Sequence, residues 1–463
     1  MITELGEKLT EQFKKYMPDA FVFALGLTVL TGLAAWIWTD ATLLDTIQGW
    51  YEGFWLLLEF GMQMTLILVT GYSIAISPLA DRFINQLTGF IRKPQHVYPF
   101  IVLTGMLLSM VSWGWMVITA VLARQLALRI KGINYPYLIA CVYFSGIIWV
   151  GGLSSSIPLL LNTDGNYLIE TGILAGTIPT TYSLGSILNI FMIVFTLVTG
   201  PLLLKWLAPS QAVDLEDLAT DLHQQKAKTI REEAASMNQT HKQLSDRLNN
   251  SSWLQYLVAL MGLVYIIRHF ITRGFDVNLN IMIFIFIIMG LVLHRTPMRY
   301  GIAMKRSSMN ISGILFQFPF YAGIMGIMLN TGLGEKLALT MASAGTIHTY
   351  PIFAFLSGAV VNFAIPSAGG EFAVIGPSII HAVKTIGMGL PDPEMTQMVV
   401  RASLSVAYGE TLTNTLQPFY LLIILPVMGL GIRIQARDVM GYLILPFIFY
   451  FIFDLLMVLF LPI

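Results

Sequence analysis

Charge is what this chain has least of. Only 11% of its 463 residues are Asp, Glu, Lys or Arg, less than half of the roughly 25% found in soluble domains. The 26 basic and 26 acidic residues cancel, so no basic field is available to attract nucleic acid. Cysteine is nearly absent too. Cys141 stands alone in an apolar run, which excludes an internal disulfide, a thiolate zinc cluster and a Cys-x-x-Cys redox pair. The chain also lacks a Gly-x-x-x-x-Gly-Lys phosphate loop, a Gly-x-Ser-x-Gly nucleophile elbow and a His-Glu-x-x-His metal motif. These absences argue against ATP-driven pumping and against an intramembrane hydrolase built on Ser154 to Ser156, His381 and Glu410.

What is abundant is apolar. Hydrophobic residues make up 56% of the sequence and the mean hydropathy is +0.72, so a length that would otherwise suggest about three soluble domains instead reads as an all-α polytopic membrane protein. At about 20 residues per crossing, spans are expected near 19–38, 53–77, 135–161, 180–204, 253–272, 279–294, 308–331, 400–428 and 439–461. Residues 1–18 mix acids and bases and precede a retained first span without a small-residue cleavage site. Two further apolar stretches are broken in the middle. The hairpin 98–130 is interrupted at Ser112-Trp113-Gly114-Trp115, and 350–384 at Pro366-Ser367-Ala368-Gly369-Gly370. Arms of about 13 to 16 residues reach only about 20 to 24 Å, short of the ~30 Å hydrocarbon core, so both read as re-entrant hairpins.

With nine crossings and two hairpins, 21 of the 26 basic residues fall on one side; only Arg268, Arg273, Lys336, Lys384 and Arg401 fall on the other. The positive-inside rule then makes the N-terminus cytoplasmic and the C-terminus external. Segment 205–252 holds 13 of the 52 charged groups with mixed sign and reads as a solvated cytoplasmic linker.

An internal repeat frames the site. His96-Val97-Tyr98-Pro99-Phe100 recurs 252 residues on as His348-Thr349-Tyr350-Pro351-Ile352, each time ahead of an apolar arm and a break. A span with a small polar cluster ending in proline follows in both halves: Gly151-Gly152-Leu153-Ser154-Ser155-Ser156-Ile157-Pro158, and Gly409-Glu410-Thr411-Leu412-Thr413-Asn414-Thr415-Leu416-Gln417-Pro418. Because the odd span 253–272 separates the halves 19–204 and 279–463, equivalent spans run in opposite directions. Broken segments in two inverted halves point to a substrate site near the bilayer midplane.

Irregular backbone at that depth must be buried in protein or line a wet cavity, so the four breaks are expected to meet. Half-helix N-termini suit a carboxylate, and unwound carbonyls suit a cation. The candidate substrate-binding residues are Ser112, Trp113, Gly114, Ser154, Ser155, Ser156, Asn362, Ser367, Gly369, Gly370, Thr413 and Asn414; Glu371, Glu410, Gly151 and Thr411 are candidates for ion coupling. An acid inside the membrane is a functional hypothesis by default. Glu371 and Glu410 either carry a coupling proton, ligate a cation, or hold the tips in shape. Glu59 reads as an interfacial acid, and His381 lies towards the outside. Trp113, Trp115, Trp149, Phe363 and Phe372 gather near the breaks, an apolar wall that fits a short alkyl acid at roughly 0.8 kcal/mol per buried CH₂. No Lys or Arg lies at any break, so a substrate with two or three negative charges would be poorly balanced.

These residues carry a resemblance over essentially the whole chain. Gly53-Phe54-Trp55 with Phe60-Gly61-Met62-Gln63-Met64, Trp113-Gly114, Tyr135-Pro136-Tyr137-Leu138-Ile139-Ala140-Cys141, Gln317-Phe318-Pro319-Phe320-Tyr321-Ala322-Gly323-Ile324, Asn362-Phe363-Ala364-Ile365-Pro366-Ser367, Ala407-Tyr408-Gly409-Glu410 and Gln417-Pro418-Phe419 resemble the bacterial short-chain fatty acid transporters. The resemblance implies uptake of butyrate, acetoacetate and similar monocarboxylates across the bacterial inner membrane. A more distant similarity to divalent-anion:sodium symporters implies a scaffold domain, a moving transport domain, an elevator motion and a homodimer through the scaffold. The Ser-Asn-Thr tip signature of those symporters is absent here, and Ala368-Gly369-Gly370-Glu371 stands where the transporter family has Gly-Gly-Gly-His, so coupling stays open between Na⁺ and H⁺. No other cofactor or metal is expected. The alternatives are a C4-dicarboxylate carrier of the same architecture and a passive channel.

Overall fold

The computed structural model describes residues 20–463 except 57, 80–81, 83–85, 87–90, 92, 112–113, 165, 171, 219–228, 238–243, 275–278 and 309–310. The expectations for residues 1–18 and for Ser112 and Trp113 lie outside the described residues. Helices carry the described chain, with one isolated parallel bridge between Asn134 and Val213; helices satisfy their own backbone, as a chain in lipid must. In order they are α1 (Ala20–Trp38), α2 (Leu43–Gly53), α3 (Leu58–Ala75), α4 (Pro94–Ser109), α5 (Trp115–Ala127), α6 (Tyr135–Phe144), α7 (Ile157–Leu161) and α8 (Ile187–Trp206). Then come α9 (Ser252–Arg273), α10 (Leu279–His294), α11 (Pro297–Ser307), α12 (Ser312–Asn330), α13 (Leu333–Ser343), α14 (Tyr350–Val361), α15 (Ala368–Ile386), α16 (Asp392–Thr413), α17 (Leu421–Met428) and α18 (Ile444–Phe460), with a few shorter helices between them.

Among the described residues, four stretches are long and apolar enough to cross a bilayer alone: Phe21–Trp38, Ile187–Trp206, Ser252–Arg273 and Ala436–Phe460. The pair Asp392–Leu416 and Leu421–Met428, bent by 44°, makes a fifth. The remaining four expected crossings, near 53–77, 135–161, 279–294 and 308–331, are built from shorter apolar helices or broken ones. The arms expected around Ser112 and Pro366 are α4 with α5 and α14 with α15. At 1.5 Å per residue, the 12 residues of α14 reach about 18 Å and the 13 of α5 about 20 Å, so neither crosses by itself.

One helix departs from expectation. The segment between the expected spans 19–38 and 53–77, which carries Asp45 and Glu52, forms α2. A capping box starts it: Asp45 N–H donates to the Thr42 hydroxyl at 3.2 Å while Thr42 N–H donates to Asp45 Oδ2 at 2.8 Å, satisfying two otherwise orphaned donors. The Thr42 hydroxyl, which donates to Asp45 Oδ2 at 2.7 Å, and then the Thr42 N–H lower the pKa of the Asp45 carboxyl. Gly49 and Gly53 then bring α2 against Gly323 and Gly326 of α12 so closely that a Cβ on Gly53 would stand 2.6 Å from Ala322 O. Small residues permit this approach, and Trp50, Phe54 and Phe320 seal its edge.

Segment 205–252 is likewise more than a solvated linker. Asp214 Oδ1 accepts from Gly132 N at 2.9 Å and Ile133 N at 3.1 Å, and Glu233, on the short helix Ile230–Met237, pairs with Arg306 of α11. Acids of the segment therefore tie it to the loop between α5 and α6 and to α11.

The pattern of pieces is the same in both halves: two arms, an interrupted span, then a long apolar helix. In the second half α14 and α16 touch backbone to backbone, because a Cβ on Gly409 would lie 2.1 Å from Phe355 O and one on Gly358 2.4 Å from Val406 O. The end of α17 is fixed to the first half, where Arg124 of α5 donates to Met428 O and Leu430 O at 2.7 Å each and Tyr135 OH donates to Met428 O at 2.7 Å. These donors meet the orphan carbonyls of a helix C-terminus.

Candidate functional site

Polar contacts hold the breaks at 151–158, 366–370 and 409–418 beside one another; of the break at 112–115, Ser112 and Trp113 lie outside the described residues and Gly114 packs against α10. In the first half α4 ends at Ser109, and the Gly-Ser stretch after α6 folds over its last carbonyls. Leu153 N donates to Met110 O at 2.6 Å, and Ser154 Oγ donates to Ser109 O. Gly152 is needed for this approach, since a Cβ there would stand 2.5 Å from Met110 Cα. Gly151 O in turn accepts from Asn189 Nδ2 of α8 at 3.0 Å.

In the second half the break after α14 is laced to the break after α16. Asn362 Nδ2 donates to Thr413 Oγ1 at 3.0 Å and Asn414 Oδ1 at 3.1 Å; Gln417 Nε2 donates to Asn414 Oδ1 at 2.8 Å and to Asn362 O at 3.1 Å. Asn414 Nδ2 donates to Glu410 Oε1 at 2.8 Å, one helical turn back. Tyr420 OH reaches Pro366 O at 3.0 Å.

Contacts from both halves meet here. Tyr143 OH of α6 lies 2.5 Å from Asn414 O and 2.8 Å from Gln417 O, donating to the carbonyls that the α16 break leaves open. Gly369, in the first turn of α15, faces Ser156, whose Oγ would be 3.8 Å from an added Cβ. That first turn exposes helix N–H groups without an intrahelical partner.

Two small adjoining cavities mark the meeting point, and they share Ile147 and Thr411. Each has about 20 Å³ of room for water, enough for about one water molecule and too little for a carboxylic acid. One is walled by Trp115, Tyr143, Trp149, Asn414, Thr415 and Tyr420; the other includes Gly151, Asn189, Tyr408 and Asp454. Neither is lined by Lys or Arg.

Both singled-out acids are fully buried, at 0% exposure. Among the described residues neither oxygen of Glu371 has a hydrogen-bond partner, and Glu410 uses only Oε1. They lie near enough to interact electrostatically. Of the other expected residues, Ser155 is buried with an unpartnered hydroxyl, and Ser367 precedes α15 without capping it. Gly370 packs beside Met325 and the Ser367 hydroxyl, while Gly114 packs against Phe286 and Met282 away from the two cavities. Thr411 lines both cavities. Glu59 and His381 are exposed.

Several residues here are not among the candidate site residues, although Tyr408 and Gln417 stand in the motifs that carry the resemblance. Tyr143, Gln417 and Tyr420 hold the break carbonyls, and Tyr408 OH donates to Asn189 Oδ1 at 2.9 Å. Asp454 is the most telling omission, since a single acid within Ile444–Phe460, 5% exposed, is itself a signal of function in a membrane span.

Several apolar helices of spanning length, with broken ones beside them, describe a multi-pass membrane protein, and its similarity to known proteins makes it a transporter rather than an enzyme. The family model for short chain fatty acid transporters matches residues 1–461, and the chain belongs to that family. It is 34% identical over 452 residues to a protein of Escherichia coli (strain K12) and 33% identical over 458 residues to one of Haemophilus influenzae (strain ATCC 51907 / DSM 11121 / KW20 / Rd), both named as short-chain fatty acid transporters, with 97% of each chain covered in both cases. Looser likenesses are to the crystal structure of the Alcanivorax borkumensis YdaH transporter, at 16% identity and a TM-score of 0.43, and to Neisseria gonorrhoeae MtrF, titled among antimetabolite efflux pumps, at 13% and 0.40. The first covers 97% of both chains, the second 98% of this chain and 97% of the other.

Proposed function

We propose that this protein is a secondary carrier that takes up short-chain monocarboxylates such as butyrate and acetoacetate across the bacterial inner membrane, driven by Na⁺ or H⁺. The observation that carries the reading is the charge balance at the converged breaks. Helix ends and neutral oxygens are gathered there with Asp454 lining one cavity and no Lys or Arg lining either; with the buried acids held neutral by the coupling ion, a helix N-terminus offers roughly half a positive charge to a substrate. One carboxylate suits that environment; two do not. In this reading the N–H groups opening α15 at Gly369 and Gly370, with Ser156 and Ser367, take the substrate carboxylate. Asn362, Thr413 and Asn414 fix the geometry of the facing break, and Trp115, Trp149 and Phe372 surround the alkyl chain.

Because the cavities admit only about one water each, substrate needs the breaks to part. Alternating access then follows from moving α14–α16 as a transport unit against a scaffold, an elevator motion within two inverted repeats, 19–204 and 279–463, with the scaffold also forming a homodimer. The N-terminus is placed in the cytoplasm and the C-terminus outside. Glu371 and Glu410 serve the coupling step, by holding a proton or by facing a cation.

Uptake of labelled butyrate and acetoacetate into proteoliposomes, with a Na⁺ gradient in one set and an H⁺ gradient in another, tests this. Saturable gradient-driven uptake, competed by unlabelled butyrate but not by succinate, is expected. Competition by succinate instead would move the substrate to C4-dicarboxylates, and electrical conductance without gradient dependence would make the protein a channel.

A further inference from the structure

We infer that Asp454, with Thr196, Thr411 and Asn189, forms a Na⁺-binding site in the cavity between α6, α8, α16 and α18. The proposal rests on the carrier reading for its purpose, and gives the coupling ion a place distinct from Glu371 and Glu410. Asp454 is the one charged side chain lining that cavity. Asp454 is 5% exposed, and the residues that share the cavity wall with it, Tyr408 and Tyr450 among them, include no Lys or Arg. Arg401 does not serve as its counter-ion, because that guanidinium donates at 2.9 Å to Val458 O, one turn further along α18. An unpaired carboxylate in an apolar interior costs several kcal/mol, and a bound cation removes that cost.

The remaining groups are oxygen donors of the kind a hard monovalent cation takes. The Thr196 and Thr411 side chains enter from α8 and α16. The orientation of Asn189 is set by its own bonds: Nδ2 donates to Gly151 O and to Leu184 O at 2.9 Å, which turns Oδ1 towards the Tyr408 hydroxyl and the cavity. Gly151 belongs to the unwound stretch after α6, where backbone carbonyls lie at membrane depth. Room for about one water-sized sphere fits a single dehydrated ion. Thr411 also lines the neighbouring cavity beside Asn414, so an ion here and a ligand at the breaks meet through one side chain.

Binding of ²²Na⁺ to the purified full-length protein, measured by scintillation proximity, tests the site directly. Wild type should bind saturably, with displacement by unlabelled Na⁺ and not by K⁺. Asp454→Asn should lose at least about tenfold in affinity, whereas Glu59→Gln, which removes an exposed acid outside the site, should bind as wild type does. Thr411→Val, which removes one oxygen without changing charge, should weaken binding as well and decides the matter if the Asn variant does not fold. Wild-type affinity in both site variants, or no saturable Na⁺ binding by wild type, overturns the proposal. Butyrate counterflow by the wild-type protein is scored separately: its absence would sink the carboxylate reading whatever the Na⁺ result.

Discussion

Asn414→Ala removes the side chain on which the second-half network depends. Asn414 Oδ1 accepts from Asn362 and Gln417, and Nδ2 is the donor to Glu410. Asn362 Nδ2 keeps Thr413 and Gln417 Nε2 keeps Asn362 O, so the two lost bonds to Oδ1 cost about 1 kcal/mol each, while Glu410 Oε1 is left with no partner at about 1–3 kcal/mol more. The total is about 3–5 kcal/mol. If the network holds the geometry in which substrate is bound, kcat/KM for butyrate counterflow falls by at least about 100-fold, at about 1.4 kcal/mol per tenfold. Thr415→Val is the matched control. Thr415 is as buried, in the same break, but its hydroxyl bonds only back to Leu412 O at 2.6 Å, so its loss costs under about 1 kcal/mol, less than about fivefold. Initial counterflow rates in proteoliposomes, with equal reconstitution and a monodisperse elution profile, give the comparison. Equal losses in the two variants, or none in Asn414→Ala, would refute the assignment of the network to transport.

Ser367→Ala should weaken butyrate uptake strongly without altering yield, since the hydroxyl stands at the start of α15 and caps nothing; saturation kinetics would show a raised KM, and unchanged kinetics would move the carboxylate elsewhere. Glu410→Gln should lose acceleration of uptake by an inward pH gradient while keeping counterflow exchange, and loss of exchange too would make Glu410 a ligand or a structural acid. Gly409→Val should destabilise the fold by at least about 3 kcal/mol, because its Cβ meets Phe355 O at 2.1 Å, and appear as lost yield of monodisperse protein. Gly301→Ala, where nothing lies within 4 Å, should instead be neutral or stabilise α11 by up to about 1 kcal/mol.

The breaks at 151–158, 366–370 and 409–418 were legible because glycine, serine and proline interrupt apolar runs, and the polar contacts among these three accord with the cost of exposing backbone to lipid; α15, at 19 residues, is longer than the arm expected there. The His96 and His348 motifs marked the start of the two first arms, with Tyr350 opening α14. Helix α2 was hidden by its charges: Asp45 and Glu52 read as loop, whereas the glycine spacing that packs it on α12 involves a partner some 270 residues away. Tyr143 was invisible for the same reason, since a tyrosine in an apolar run gives no sign that its hydroxyl will meet Asn414. Asp454 was lost to averaging, as one acid among the aliphatic and aromatic residues of α18 barely lowers the hydropathy of its window.

The seam between α14 and α16 has a mechanical consequence. Where Gly358 and Gly409 set one main chain against another, there are no rotamers to exchange, so the pair has no graded way to slip: it stays in register or comes apart. Asn362 and Asn414, at the far ends of those two helices, therefore ride on a single stiff strut, and whatever displacement opens the path for substrate must be absorbed where the strut's borders are made of adaptable side chains.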